Sequence, residues 1–130
     1  MKILDENKKL LAQVIRPFSD NSKKNFFTDD DLDFQAASFQ LEKNEKIDRH
    51  IHNTQKRIIQ TTSEAIMVIE GVINVEIYND ELNFVHQVNI NAGELILLFA
   101  GGHSITIIEK SKFIEIKQGP YDEKSDKQRF

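Results

Sequence analysis

Hydrophobic and polar residues alternate through the middle of the chain with the two-residue period of β-strands. In Val72 to Tyr78, Ile73, Val75 and Ile77 share one face, and Asn74 and Glu76 share the other. Phe84 to Ile90 alternates likewise. Gln35 to Leu41 returns to the pattern through Ala37, Phe39 and Leu41, and Lys9 to Ile15 reads as a further strand. Turn formers separate the later runs at Glu70-Gly71, Asn79-Asp80-Glu81, Asn91-Ala92-Gly93, Gly101-Gly102 and Glu109 to Lys112. Short strands at this spacing predict an antiparallel sandwich or barrel. No segment after Gln35 carries a helical stripe. Upstream, Ser19 to Asn25 reads as polar loop, and Thr28-Asp29-Asp30-Asp31 as the cap of a short helical turn.

Two runs break the clean alternation. Leu95 to Phe99 is apolar on both faces, and beyond Glu64 both Ile66 and Val68 and the opposite set Ala65, Met67 and Ile69 are apolar. A sandwich with one wet face per sheet alternates there, so the outer side of these strands needs cover. Leu10, Leu11, Val14 and Ile15 offer part of it, and a second copy through an isologous contact offers the rest, which predicts a homodimer.

With 130 residues the chain is the size of one domain, and neither a linker nor an internal repeat divides it. The reading is a single domain, with an N-terminal strand and loop segment over 1–34, a β-barrel over 35–120 and a polar tail over 121–130, expected to be mobile from Asp122 to Arg129. A net charge of -4 provides no broad basic surface for nucleic acid or anionic lipid. The longest apolar run, Leu95 to Ala100, is far too short to span a bilayer, and the first residues have no apolar signal core. These features point to a cytoplasmic protein that binds neither nucleic acid nor membrane, although the missing cysteines suit a periplasm equally.

The absence of cysteine also removes thiolate ligands and leaves histidine and carboxylate as the strong metal donors. Three of the four histidines fall in Arg49-His50-Ile51-His52 and Gly101-Gly102-His103, with Glu64 between the two segments. If His50 and His52 lie on a strand, they project to the same side. A strand over Arg57 to Ile69 puts Glu64 on the face of Gln60 and Thr62, and His103 opens another strand after two glycines. Three imidazoles and one carboxylate suit a divalent transition ion: manganese, iron, cobalt, nickel or zinc. His86, in Phe84-Val-His-Gln-Val88, lacks a glycine frame and reads as a surface or partly packed residue. Glu115 and Lys117 share a strand face, which favours a cross-strand salt bridge.

These segments resemble the cupins, whose first motif has the form G-x5-H-x-H-x(3,4)-E-x6-G and whose second has the form G-x5-P-x-G-x2-H-x3-N. Here Asn44 takes the place of the first glycine, followed by five residues and His50-Ile51-His52; Glu64, six residues and Gly71 close the motif. Asparagine is the non-glycine residue most at ease in left-handed turns. The gap before Glu64, Asn53 to Ser63, is eleven residues long, which implies a longer hairpin arm. In the second motif Gly93 leads through Phe99, Ala100 and Gly101 to His103, with Ile107 in place of the asparagine. The ending Glu115 to Tyr121 is similar to small single-domain bacterial cupins of the WxcM-like group.

The resemblance, from residue 35 onward, implies an all-β fold of the cupin type: a double-stranded β-helix, or jelly-roll barrel, with His50, His52, Glu64 and His103 as metal ligands. It implies little about substrate, because cupins host many reactions. The expected function is a metal-dependent enzyme acting on a small oxygen-rich compound such as a sugar or sugar nucleotide, in the manner of an isomerase or epimerase. The alternatives are a non-catalytic binding or sensor module for a carbohydrate or small acid, a cupin dioxygenase, and a cupin whose metal is only structural. Gln60 and Thr62 are expected to line the pocket entrance. A β-bulge in the arm would instead turn Arg57 or Thr61 inward. Lys56, Arg57 and Tyr121 are candidate contacts for a substrate anion.

Overall fold

A computed structural model describes residues 1–122 and 126–130. The part of the polar tail at 123–125 lies outside the described residues. Among the described residues there are ten strands: β1 (Lys2–Leu4), β2 (Leu10–Ile15), β3 (Lys24–Phe26), β4 (Ala37–Phe39), β5 (Glu64–Glu70), β6 (Val72–Tyr78), β7 (Phe84–Asn91), β8 (Leu95–Leu98), β9 (Gly102–Ile107) and β10 (Lys112–Lys117). The described residues are therefore all-β, and every strand pairing is antiparallel. None of them forms a helix long and apolar enough to cross a membrane. The chain forms two compact units, residues 1–17 with 61–130, and residues 18–60.

In the larger unit, one sheet has the order β1-β2-β8-β5-β10 and the other β7-β6-β9. From β5 onward the chain passes from the first sheet to the second, stays for the β6–β7 hairpin, then alternates through β8, β9 and β10. Neither sheet closes on itself as a barrel among the described residues. The reason for the pairing is visible in the alternation. Ile73, Val75 and Ile77 of β6 are buried against Ile66 and Val68 of β5, Ile96 and Leu98 of β8, Leu11 and Val14 of β2, and Ile90 of β7. Burial of such side chains contributes about 1.5–3 kcal/mol each relative to exposure, and it fixes the register, since a slip of one residue would turn the whole set outward.

β8 lies inside its sheet, between β2 and β5, which accounts for its unbroken apolar run. Ile96 and Leu98 face the shared core, and Leu97, on the opposite face, is only 1% exposed. The same outer face is open further along. Met67 and Ile69 of β5, with Ile114 and Ile116 of β10, are exposed, Ile116 to 60%.

Glycine is required at the tight joins. Gly71 connects β5 to β6 at φ +82, and an added Cβ would come 2.3 Å from the Lys110 carbonyl oxygen. Gly101, at φ +72, would place a Cβ 2.1 Å from the carbonyl oxygen of Tyr78. Both conditions exclude side chains, through backbone conformation and through space.

The smaller unit contains the β3–β4 pair, across which Phe26 and Phe39 meet edge to face at 6.2 Å. The loop between these strands is organised by side chains. Thr28 donates its hydroxyl to Gln35 Oε1 and accepts the Ala36 N–H, while Gln35 Nε2 donates to the carbonyls of Asp29 and Leu32. The predicted helical cap at Thr28 is thus a turn without a helix, because its hydroxyl is spent across the loop. The polar loop expected over Ser19 to Asn25 gives way to β3 at Lys24.

Two strand expectations fail. His50 and His52 lie in an irregular segment, and the strand expected over Arg57 to Ile69 begins only at Glu64. From Gln40 to Gln60 charged and amide residues dominate and no two-residue alternation is sustained, so too little apolar surface is available to offset the ordering of an extended backbone.

Candidate functional site

Glu64 opens β5 with its side chain on the inner face, in line with Ile66 and Val68. Its backbone is held on both sides, opposite Leu98 of β8 and Lys117 of β10. Just upstream, the Ser63 N–H donates to Gln118 Oε1 at 3.0 Å and the Gln118 N–H to the Ser63 carbonyl at 3.3 Å, which extends the β5–β10 pairing past the strand end. His103 stands opposite Ile77 in the β6–β9 register and so shares the inner face of the second sheet. The Gly101-Gly102 approach is what lets β9 start against Tyr78.

These placements bring His103 Nε2 to 3.3 Å from Glu64 Oε2, with the side chains 30% and 15% exposed. The approach is close, but not aligned as a hydrogen bond: Glu64 Oε2 is buried and has no hydrogen-bond partner. A desolvated carboxylate oxygen without a donor is costly, so this atom is suited to a cation or a ligand hydroxyl. A divalent ion fits the pair by chemistry, since it offers one hard oxygen donor and one imidazole nitrogen. Within neither unit do three histidine, aspartate or glutamate side chains gather as a ligand group among the described residues.

His50 and His52 form their own pair in the smaller unit, with ring centres 5.2 Å apart and planes at 82°. His50 Nδ1 is 3.0 Å from the Asp48 carbonyl oxygen. A proton on Nδ1 donates there and leaves Nε2 as the free donor atom, the arrangement typical of metal-ligating imidazoles. Gln60 is exposed in the same unit, off any strand. Arg57 is exposed and donates to Gln55 Oε1 at 3.1 Å, and Lys56 is likewise exposed.

The Glu64–His103 pair faces a cleft of about 880 Å³, within the range of about 300–1,000 Å³ usual for small-molecule pockets. It opens between the edge strands β9 and β10 and is also lined by Thr61 and Thr62. Thr62 therefore borders the cleft from a loop, next to Thr61, rather than from the continuous strand expected for it.

Acidic and basic groups pair around the rim. Lys117 Nζ donates to Asp126 at 2.7 Å, a bond that raises the lysine pKa; burial opposes the rise, and the charges of Asp126, Glu64 and Glu115 add to it. A cross-strand salt bridge is expected from the face that Glu115 and Lys117 share; Lys117 instead makes its ion pair with a residue of the tail. On the outer face of β6, Glu76 accepts hydrogen bonds from the Tyr78 hydroxyl at 2.7 Å and Ser104 Oγ at 2.8 Å, which lower its pKa. The same carboxylate, accepting from the phenol, raises the pKa of Tyr78. Tyr121 is exposed, with Lys117 Nζ 4.8 Å from its ring centre.

Asp126, Tyr78 and Phe130 were not legible as cleft residues in the sequence. Only the Gly101-Gly102 pair signalled that something approaches the backbone closely there. The chain matches no protein-family model, and it matches neither a curated protein nor a solved structure.

Proposed function

We propose that the larger unit is a cupin-type β-sandwich that takes a small, oxygen-rich molecule, of the sugar or sugar-nucleotide kind, into the cleft between β9 and β10. Support for the cupin assignment comes from the motif spacing around Glu64 and His103 and from the way β5 to β10 pass between two sheets. The observation that carries the reading is the buried, unpartnered Glu64 Oε2 beside His103 Nε2 at the cleft.

In this proposal the cofactor is one divalent transition ion, held by Glu64 and His103 of the larger unit. Such an ion would polarise a ligand carbonyl or hydroxyl oxygen, the chemistry of an isomerase or epimerase. The protein's own groups do the rest. Thr61 and Thr62 offer hydroxyls to ligand oxygens, and the apolar Leu98 and Ile105 limit water at the inner wall. The exposed strip of Met67, Ile69, Ile114 and Ile116 is the surface we assign to the homodimer, and light scattering that finds only a 15.1 kDa species would remove that part.

The test is metal content by mass spectrometry of protein purified without added metal, for the native chain, Glu64→Gln, His103→Ala and the double change His50→Ala with His52→Ala. About one ion per chain, lost in both single variants, is expected. Unchanged metal content in the double variant is expected, since Glu64 and His103 hold the ion. Full occupancy in Glu64→Gln and His103→Ala overturns the metal reading.

A further inference from the structure

Residues 126–130 do not trail away from the larger unit. The Asp126 N–H donates to the Asp122 carbonyl at 2.8 Å, and the Asp126 carboxylate meets Lys117 Nζ at 2.7 Å, with the two side chains only 10% and 20% exposed. Four residues on, the Phe130 ring meets Tyr78 edge to face at 5.2 Å. It rests on bare backbone: a Cβ on Gly102 would come 2.7 Å from the ring. Lys117 belongs to β10 and Gly102 to β9, so the two anchors stand on the two edge strands that frame the cleft. Asp126, Lys127, Gln128, Arg129 and Phe130 all line it.

We propose that residues 126–130 form a strap that gates the cleft, latched to β10 by Asp126 on Lys117 and to β9 by Phe130 on Gly102 and Tyr78. The inference rests on the cleft being the ligand site and concerns access to it. Both latches are suited to reversible release. Each latch is a single contact outside the strand ladders, and an edge-to-face ring contact contributes about 0.5–1.5 kcal/mol beyond its area, so the strap opens without unfolding the sheets. Gly102 is then more than a lead-in to His103. Its missing side chain is the seat of the ring.

The experiment reads access to His103 directly. Intact protein is treated with diethyl pyrocarbonate in the presence of a chelator, and carbethoxylation of His103 is measured by peptide mass spectrometry relative to His86, which is exposed in β7. In Phe130→Ala the His103 to His86 ratio should rise between about twofold and tenfold, the range one ring contact carries. Asp126→Asn should raise it less, and the two together more than either. Gly102→Ala, whose methyl displaces the ring while Phe130 itself is unchanged, should mimic Phe130→Ala. An unchanged ratio in the Phe130→Ala, Asp126→Asn double variant overturns the strap. This readout needs no ligand, so a failed metal test leaves it standing, and a failed strap leaves the metal test standing.

Discussion

The two units order their backbones by different means. In residues 1–17 and 61–130, two antiparallel sheets satisfy the backbone and a continuous apolar layer fixes which face of each strand points inward. In residues 18–60 there are two strands of three residues each, and much of the order comes from single side chains such as Thr28 and Gln35 bonding to nearby backbone. The first arrangement spreads its stabilisation over many contacts and can hold a costly group such as the Glu64 carboxylate in place. The second has no comparable apolar layer, so its histidine pair is set by local hydrogen bonds and its geometry is softer.

The sharpest way to break this contrast is to empty the core. Ile66→Ala or Ile96→Ala, both fully buried, should lower unfolding free energy by about 2–5 kcal/mol in denaturant titration. Phe39→Ala in the smaller unit, where the ring is exposed, should cost no more than about 1.5 kcal/mol. Equal losses would show that the smaller unit is as tightly packed as the sandwich.

Within the sandwich, the turns separate conformational from steric demand. Gly93→Ala has only the backbone problem, because φ is +84 and nothing lies within 4 Å of the new Cβ, and should cost about 1–2 kcal/mol. Gly71→Ala adds the clash with Lys110 and should cost clearly more. A Gly71→Ala protein as stable as Gly93→Ala would mean that the β5–β6 turn yields easily.

The smallest effect concerns pH. Burial is the largest influence on Glu94 and pushes its carboxyl up, but the Asn91 N–H, the Asn91 side chain and Arg16 together hold it below the ordinary value of 4.5. Because the folded pKa is the lower one, this contribution to stability is complete above the ordinary value and is lost as pH falls through the lowered one. Glu45, in the smaller unit, is lowered in the same sense by hydrogen bonds from Lys23 and the Glu42 N–H. Its charge is more open to water, which weakens such pairs. Glu94→Gln should therefore flatten the acid limb of a stability profile more than Glu45→Gln, and the reverse order would contradict the contrast.

The sandwich was legible because its signals are local. Alternation through Ile73, Val75 and Ile77 announces β6, and Gly71 and Gly101 announce turns that no other residue fits as well. A shared site for Glu64 and His103 is an expectation of the cupin resemblance, and the structure places the two side chains 3.3 Å apart. The His50 segment was misread as a strand because a His-x-His spacing suggests a shared face only if the backbone is extended, and Gln40 to Gln60 has no apolar period to make it so. The seat of Phe130 could not be read at all. A contact between residues 78, 102 and 130 leaves no period in the sequence, and a polar tail looks the same whether or not its last ring is docked.

The central claim is that the chemistry of this chain is centred on Glu64 and His103 in the larger unit. Titration of isotope-labelled protein with cobalt(II), followed by nuclear magnetic resonance, tests it most directly, because the ion broadens and shifts signals from residues close to it. The account predicts that signals from His103 and from its cleft neighbours Leu98 and Ile105 change first and saturate at about one ion per chain. Changes confined to His50, His52 and their neighbours, with β5 and β9 untouched, would contradict it.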